Sequence, residues 1–300
     1  MKTSHAELQK LFAEKASRHK STTDILDVLG TNIDARTGVP KYPSGIRELD
    51  DLTFGLHRKE LMVIGARPSH AKTSLSLAIC WNLAKLKVPT IFVSLEMSRE
   101  SILERIMCQE YKLSGWRLRK GDMGEKERFF KRFPDLHQKL AGLPFQIIDY
   151  MGRSIKEIEY ILEEFKPECL FIDYIQKINT SGHGSRYEAL SQFVQTVQDF
   201  AIQYDCAIVL NSQINRGGEF LKGAGEIEET ADCFIKCRWP WKDDMEYSDP
   251  KEYEIQVEKQ RHGPCDFRLV NFNADNYSFE SRDLPTIRPL NSYIEKIEGE

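Results

Sequence analysis

The 300-residue sequence has no apolar run near the ~20 residues of a membrane-spanning helix. That absence argues against a helical membrane protein. The start, MKTSHAELQK, carries no apolar leader region, so the expectation is a cytoplasmic chain with no membrane partner. Positive charge is not in surplus either: 42 Lys and Arg stand against 46 Asp and Glu, a net charge of -4. Bulk attraction to nucleic acid is thereby excluded, and any contact with DNA or RNA has to come from local groups. Metal-ligand spacing is missing too. Seven cysteines are scattered at 80, 108, 169, 206, 233, 237 and 265, and most sit in apolar stretches, as reduced core thiols do. Cys233 and Cys237 are four apart with no second Cys/His pair at ligand spacing, which argues against zinc. There is no internal repeat and no low-complexity tract.

What is present is regular from residue 60 onward. Apolar runs occur at 60–66, 89–96, 145–150, 169–178 and 206–214. Helical patterns lie between them at 72–87, 99–111, 124–142 (expected to break at Pro134), 154–166 and 188–204. Strands rich in Val, Ile and Phe alternating with helices predict an α/β fold with a mainly parallel sheet covered on both faces. After residue 230 the helices are expected to stop. DCFIKCRW, YEIQVEKQR and DFRLVNFNADNYSFE then predict consecutive strands forming an antiparallel C-terminal extension. Before the regular part, 5–18 carries Leu8, Leu11, Phe12 and Lys15 at helical spacing. We divide the chain into an arm at 1–43, a main α/β domain at 44–282 and a tail at 283–300.

The stretch IGARPSHAKTSLSLA, Ile64 to Ala78, has the layout of a phosphate-binding loop: strand, short polar loop, helix start. In the pattern G-x-x-x-x-G-K-S/T, backbone N–H groups wrap phosphates, the lysine neutralises their charge and the hydroxyl holds magnesium. Here the residues are Ala66, Arg67, Pro68, Ser69, His70, Ala71, Lys72 and Thr73, so both glycine positions are alanine. Taken alone, an ordinary strand-to-helix turn containing Lys-Thr explains the stretch as well. Three further residues narrow the choice, because Glu96, Asp173 and Gln213 each stand at the carboxyl end of an apolar run, where open α/β sheets bind ligands. Asp173 suits magnesium through its water shell. Glu96 suits deprotonation of an attacking water. Gln213 suits hydrogen bonding to a γ-phosphate.

In order along the chain, SGIRELDDLTFGLHRKELMVIGARPSHAKTSLSLA, VSLEMSRESILERI, LFIDYIQ, VLNSQINR and EKQRHGP resemble the ATPase domain of bacterial and phage DnaB-type replicative helicases. The resemblance covers roughly residues 44 to 280. It implies a RecA-like fold, a homohexameric ring with ATP and Mg2+ between subunits, and ATP-driven movement along single-stranded DNA. Arg67 to Thr73 would hold the nucleotide, with Thr73 and Asp173 on the metal. Glu96 would be the base and Gln213 the sensor. In EKQRHGP, Lys259 and Arg261 match the basic pair that reaches the γ-phosphate of the adjacent subunit. Two apart on a strand, they are expected to share a face. Arg216, Lys222, Gly223 and Gly225 match the family's DNA loop, although this loop is about a dozen residues shorter and a glycine-rich turn is the alternative. Arg186, within 179–187, belongs to a second candidate loop.

Two departures qualify the resemblance. Only about 43 residues of the sequence precede the match, where the resemblance implies an N-terminal helical domain, so primase binding by the usual surface is not expected. The arm is then expected to be the linker helix that docks on the next subunit. A short ATPase domain of this kind suits a phage or other mobile element, with a primase or loader as further partner. The second departure is Ala71: if the loop needs φ > 0 there, alanine costs about 1–2 kcal/mol. That leaves as alternative a RecA-like ring or DNA-binding protein with impaired ATP hydrolysis.

Overall fold

The computed structural model describes Leu26 and residues 41–149, 153–179, 186–214, 225–246 and 249–282. The arm helix at 5–18, the tail at 283–300, and Arg216, Lys222 and Gly223 lie outside the described residues. The chain divides into two units, Met1–Val39 and Pro40–Glu300, and the second contains the whole sheet.

The elements run α1 (Arg47–Thr53), β1 (Leu61–Ala66), α2 (Lys72–Lys85), β2 (Thr90–Ser94), α3 (Arg99–Tyr111), α4 (Gly115–Arg119), α5 (Met123–Ala141) and β3 (Phe145–Ile148). They continue as α6 (Ile155–Phe165), β4 (Cys169–Asp173), a short 3-10 turn (Ile175–Lys177), α7 (Arg186–Gln203), β5 (Ala207–Gln213), α8 (Gly225–Thr230) and β6 (Cys233–Arg238). The last are α9 (Pro240–Asp243), β7 (Glu252–Gln260), β8 (Phe267–Asn273) and β9 (Ser278–Glu280).

All nine strands form one sheet in the order β3-β2-β4-β5-β1-β6-β7-β8-β9. The central strands are mainly apolar because both faces are covered. In β1, Met62, Ile64 and Ala66 enter one core with Leu75 and Ile79 of α2 and Ile102 and Ile106 of α3. The alternate residues Leu61 and Val63 enter the other, with Ile158 and Leu162 of α6 and Val194 and Val197 of α7. This is the two-residue period of a strand sandwiched between helical layers.

Three expectations need correction. β6 is not part of the antiparallel extension: it pairs parallel with β1, from Met62 opposite Cys233 to Ala66 opposite Cys237. The chain crosses over after β5 and lays β6 against the free side of β1, so the antiparallel part begins at β7. Helices do not stop at 230, since the four-residue α9 follows β6. Finally, α5 runs unbroken through Pro134. Pro134 is exposed, so water can satisfy the carbonyl that the missing N–H leaves open. Buried Leu136 and buried Glu125, which pairs with Arg128 at 2.6 Å, hold the helix on either side of it. Six cysteines are buried and Cys265 is exposed. Among the described residues, no helix is long and apolar enough to cross a membrane.

Candidate nucleotide site

Strands β2, β4, β5 and β1 are neighbours, and their carboxyl ends finish together. Ser94 faces Asp173 across β2 and β4, and Ala66 faces Gln213 across β1 and β5. A cleft of about 860 Å³ opens above them, with Lys72, Thr73, Glu96, Tyr174 and Gln213 on its wall. The register therefore brings together residues spread over more than 140 positions of sequence.

The loop after β1 reaches α2 through two left-handed residues, Ser69 at φ 65° and Ala71 at φ 56°. Ala71 does require φ > 0, and an L-residue there costs about 1–2 kcal/mol. The turn has a clear product. The first intrahelical bond of α2 is Leu75 N–H to Ala71 O at 2.9 Å. The amides of Lys72, Thr73 and Ser74 precede that ladder and sit at the positive end of the helix dipole, where anions bind. Lys72 is buried, with its ammonium 4.4 Å from the centre of the Tyr174 ring. Pro68, Ser69 and His70 also line the cleft, while the Arg67 and His70 side chains are engaged by the segment after β6. Arg67 pairs with Asp243 of α9 at 2.6 Å. The His70 imidazole is engaged by Trp239 and Asp243. Burial pulls the His70 pKa below its ordinary value, with Asp243 opposing, which favours the neutral ring.

Glu96 stands two residues past β2, exposed on the cleft wall. A tight turn fixes it: Ser94 Oγ accepts from Met97 N–H at 3.0 Å and donates to Met97 O at 2.7 Å. Asp173 is set back from the wall and only 1% exposed. A buried chain of hydrogen bonds orients it. Ser76 of α2 donates to Asn211 Oδ1 at 2.5 Å, and Asn211 Nδ2 donates to Asp173 Oδ1 at 2.8 Å. Gln176 braces the neighbouring strand end, accepting from Gln213 N–H and donating to Gln213 O, both at 3.1 Å. The sequence reading missed Ser76, Asn211 and Gln176. The available signal was the amide of Asn211 inside an otherwise apolar strand. If Asp173 holds Mg2+, breaking the chain with Asn211→Ala should raise the magnesium midpoint roughly 10- to 100-fold, the usual range for a group that orients a metal ligand. A magnesium titration of ATP turnover checks this, and an unchanged midpoint would refute it.

The donor set suits the expected cofactor. The Thr73 hydroxyl and the Asp173 carboxylate are hard oxygens, and they fit Mg2+ held mainly by phosphate and water.

Lys259 and Arg261 are not brought to this cleft. Lys259 pairs with Phe234 near the start of β6, which lies level with the amino end of β1. Lys259 Nζ donates to the carbonyls of Glu228 at 2.8 Å and Glu229 at 2.5 Å. Arg261 pairs with buried Asp232 at 2.9 Å. Lys259, in β7, turns to the last turn of α8, and Arg261, one residue past β7 rather than on the strand, turns to Asp232 just before β6, both at the end of the sheet away from Lys72. Gly225 opens α8. Arg186 opens α7 and donates to Gln176 O at 2.8 Å.

Comparison with known proteins places this architecture. Replicative DNA helicase DnaB of Treponema pallidum (strain Nichols) is 29% identical over 266 residues, which are 84% of this chain and 58% of that protein. The chain thus spans less than two thirds of that relative's length. The solved ATPase domain of G40P has a TM-score of 0.79 at 22% identity, covering 88% of this chain and 100% of that one. A DnaB-like replicative helicase, solved with its interactions with primase, has a TM-score of 0.78 at 21% identity, covering 92% and 71%. The fold is RecA-like, a mainly parallel sheet with helices on both faces and an antiparallel end. The family model "DnaB-like helicase C terminal domain" matches residues 41–281, and the chain belongs to that family.

Proposed function

We propose that this chain is the motor of a replicative-type DNA helicase, hydrolysing Mg-ATP between copies of itself and moving along single-stranded DNA. One observation carries the reading: Lys72, Thr73, Glu96, Asp173 and Gln213 converge at four adjacent strand ends, while the basic pair Lys259 and Arg261 sits at the opposite end of the sheet. A site with those cations beside the phosphates needs a second copy. A ring, hexameric by family resemblance, supplies one at every cleft.

Each residue then has a task. The loop amides and Lys72 hold the β- and γ-phosphates. Thr73 and Asp173 hold Mg2+, which when bound neutralises charge on the phosphate oxygens. Glu96 accepts the proton of the attacking water. Arg261 of the adjacent copy stabilises charge on the transferred phosphoryl, with Lys259 beside it. Gln213 hydrogen-bonds the γ-phosphate, and two residues later the chain enters the segment holding Arg216, Lys222, Gly223 and Gly225, assigned here to single-stranded DNA. Loss of the γ-phosphate is thus felt where the DNA is held. The arm at 1–43 is assigned to docking on the next subunit. A relative of known structure is described with primase, and a primase or loader is a proposed partner here.

The left-handed Ala71 favours a second reading, a ring of the same fold that hydrolyses ATP poorly. ATP turnover with and without single-stranded DNA decides between them. The motor requires clear stimulation by DNA in the native protein and strand displacement on a forked duplex. No native turnover, with turnover gained in Ala71→Gly, would establish the second reading instead.

A further inference from the structure

The phosphate loop has no glycine between Ala66 and Thr73, yet Ser69 and Ala71 both adopt left-handed conformations that L-residues avoid. Such conformations persist where the surroundings over-determine them. Here the surroundings grip the residue between the two. His70 is only 3% exposed. Its N–H donates to Arg67 O at 3.2 Å, and its carbonyl accepts from the Tyr253 hydroxyl at 2.8 Å. Its Nδ1 accepts from the Trp239 N–H at 3.0 Å, and its Nε2 lies 3.3 Å from Asp243 Oδ1.

The partners are themselves fixed. Tyr253 is fully buried in β7. Trp239 donates from its indole to Pro250 O at 2.9 Å. Asp243 also receives Arg67 at 2.6 Å and Arg238 at 2.8 Å. A neutral imidazole matches this setting well, since it accepts at one ring nitrogen from a backbone N–H and donates at the other to a carboxylate.

We propose that His70 is a positioning residue. It latches the phosphate loop to the turn between β6 and α9, and so holds Ala71 in the left-handed turn that places Lys72 and Thr73. The latch does by tertiary contact what a glycine does by conformational freedom. This rests on the nucleotide reading of the cleft, and it makes positions 70 and 71 interdependent: the latch matters when residue 71 carries a Cβ and matters much less when it does not.

A double-mutant cycle tests it. Affinity for a fluorescent, non-hydrolysable ATP analogue with Mg2+ is measured for the native protein, His70→Leu, Ala71→Gly and the double variant. His70→Leu should weaken binding about tenfold in the native background and no more than about twofold beside Ala71→Gly, a difference of about fivefold or more that matches the low end of the left-handed penalty. His70→Asn, which keeps an acceptor for the Trp239 N–H, should recover most of the loss. Equal losses in both backgrounds would overturn the latch, because a general packing defect does not depend on the Cβ of residue 71. If His70→Leu fails to fold, Asp243→Ala breaks the latch from the other side in the same cycle. If no variant binds the analogue, the nucleotide reading fails, and the latch is read separately by amide hydrogen exchange of the unliganded proteins. Faster exchange across 69–73 in His70→Leu, with β1 unchanged, then supports the latch, and unchanged exchange there overturns it.

Discussion

Lys72→Ala should reduce DNA-stimulated ATP turnover by about a thousandfold or more while leaving the protein folded. Removing one group aimed at charge in a transition state costs about 10²–10³ in rate, and Lys72 carries a full charge in a site only 9% exposed, where solvent screens it poorly. The fold loses little, because the ammonium contact to the Tyr174 ring, at 4.4 Å, is worth about 2 kcal/mol when desolvated, and removing the ammonium also removes the cost of burying its charge. A thermal midpoint within a few degrees of native, together with background turnover, is the expected pair of results. Turnover close to native in this variant would place the chemistry elsewhere.

The second large effect is a recovery. Arg261→Ala and Glu96→Gln should each be inactive, since an arginine supplied to a transferring phosphoryl is worth about 10³–10⁵ in rate and the base has no substitute. Mixed in equal amounts and allowed to reassemble, the two inactive proteins should regain roughly a quarter of native turnover. That is the fraction of contacts in which an intact Glu96 meets an intact Arg261 from its neighbour, if copies mix at random and contact head to tail. The position of Arg261, paired with Asp232 at the far end of the sheet from Lys72, is the basis of this expectation. No recovery on mixing would mean that the arginine does not serve a neighbouring cleft. Asp232 keeps its bond from Leu61 N–H at 2.8 Å in the arginine variant, so folding should survive.

The sequence was most legible where burial is two-sided. Strands β1, β2, β4 and β5 are buried on both faces, and they appear as mainly apolar runs whose polar residues lie at or near the ends, Asn211 of β5 lying furthest in. That same rule located Glu96, Asp173 and Gln213 at strand ends without any knowledge of strand order. It failed for β6, because burial pattern does not encode direction: CFIKCR serves a parallel or an antiparallel neighbour equally well. Pro134 misled for a related reason, since whether its helix breaks depends on which face meets water. The orientation of Asp173 by Asn211 and Ser76, and the hold of Trp239, Asp243 and Tyr253 on His70, join residues 38 to 183 positions apart. No local pattern marks such partners. Ala71 was visible as an oddity, but its φ and the means of keeping it belong to the folded chain alone.

The separation of the cleft from Lys259 and Arg261 has a consequence for assembly. On the proposed function, each copy would offer a socket at one end of its sheet and a plug at the other, so contacts of this type would be heterologous. A heterologous contact never satisfies itself in a pair; it leaves one socket and one plug open until the rotation per copy closes a circle. Closure therefore becomes part of the active site: the angle between neighbours decides whether every cleft is completed, or whether the chain of copies ends with one cleft unserved.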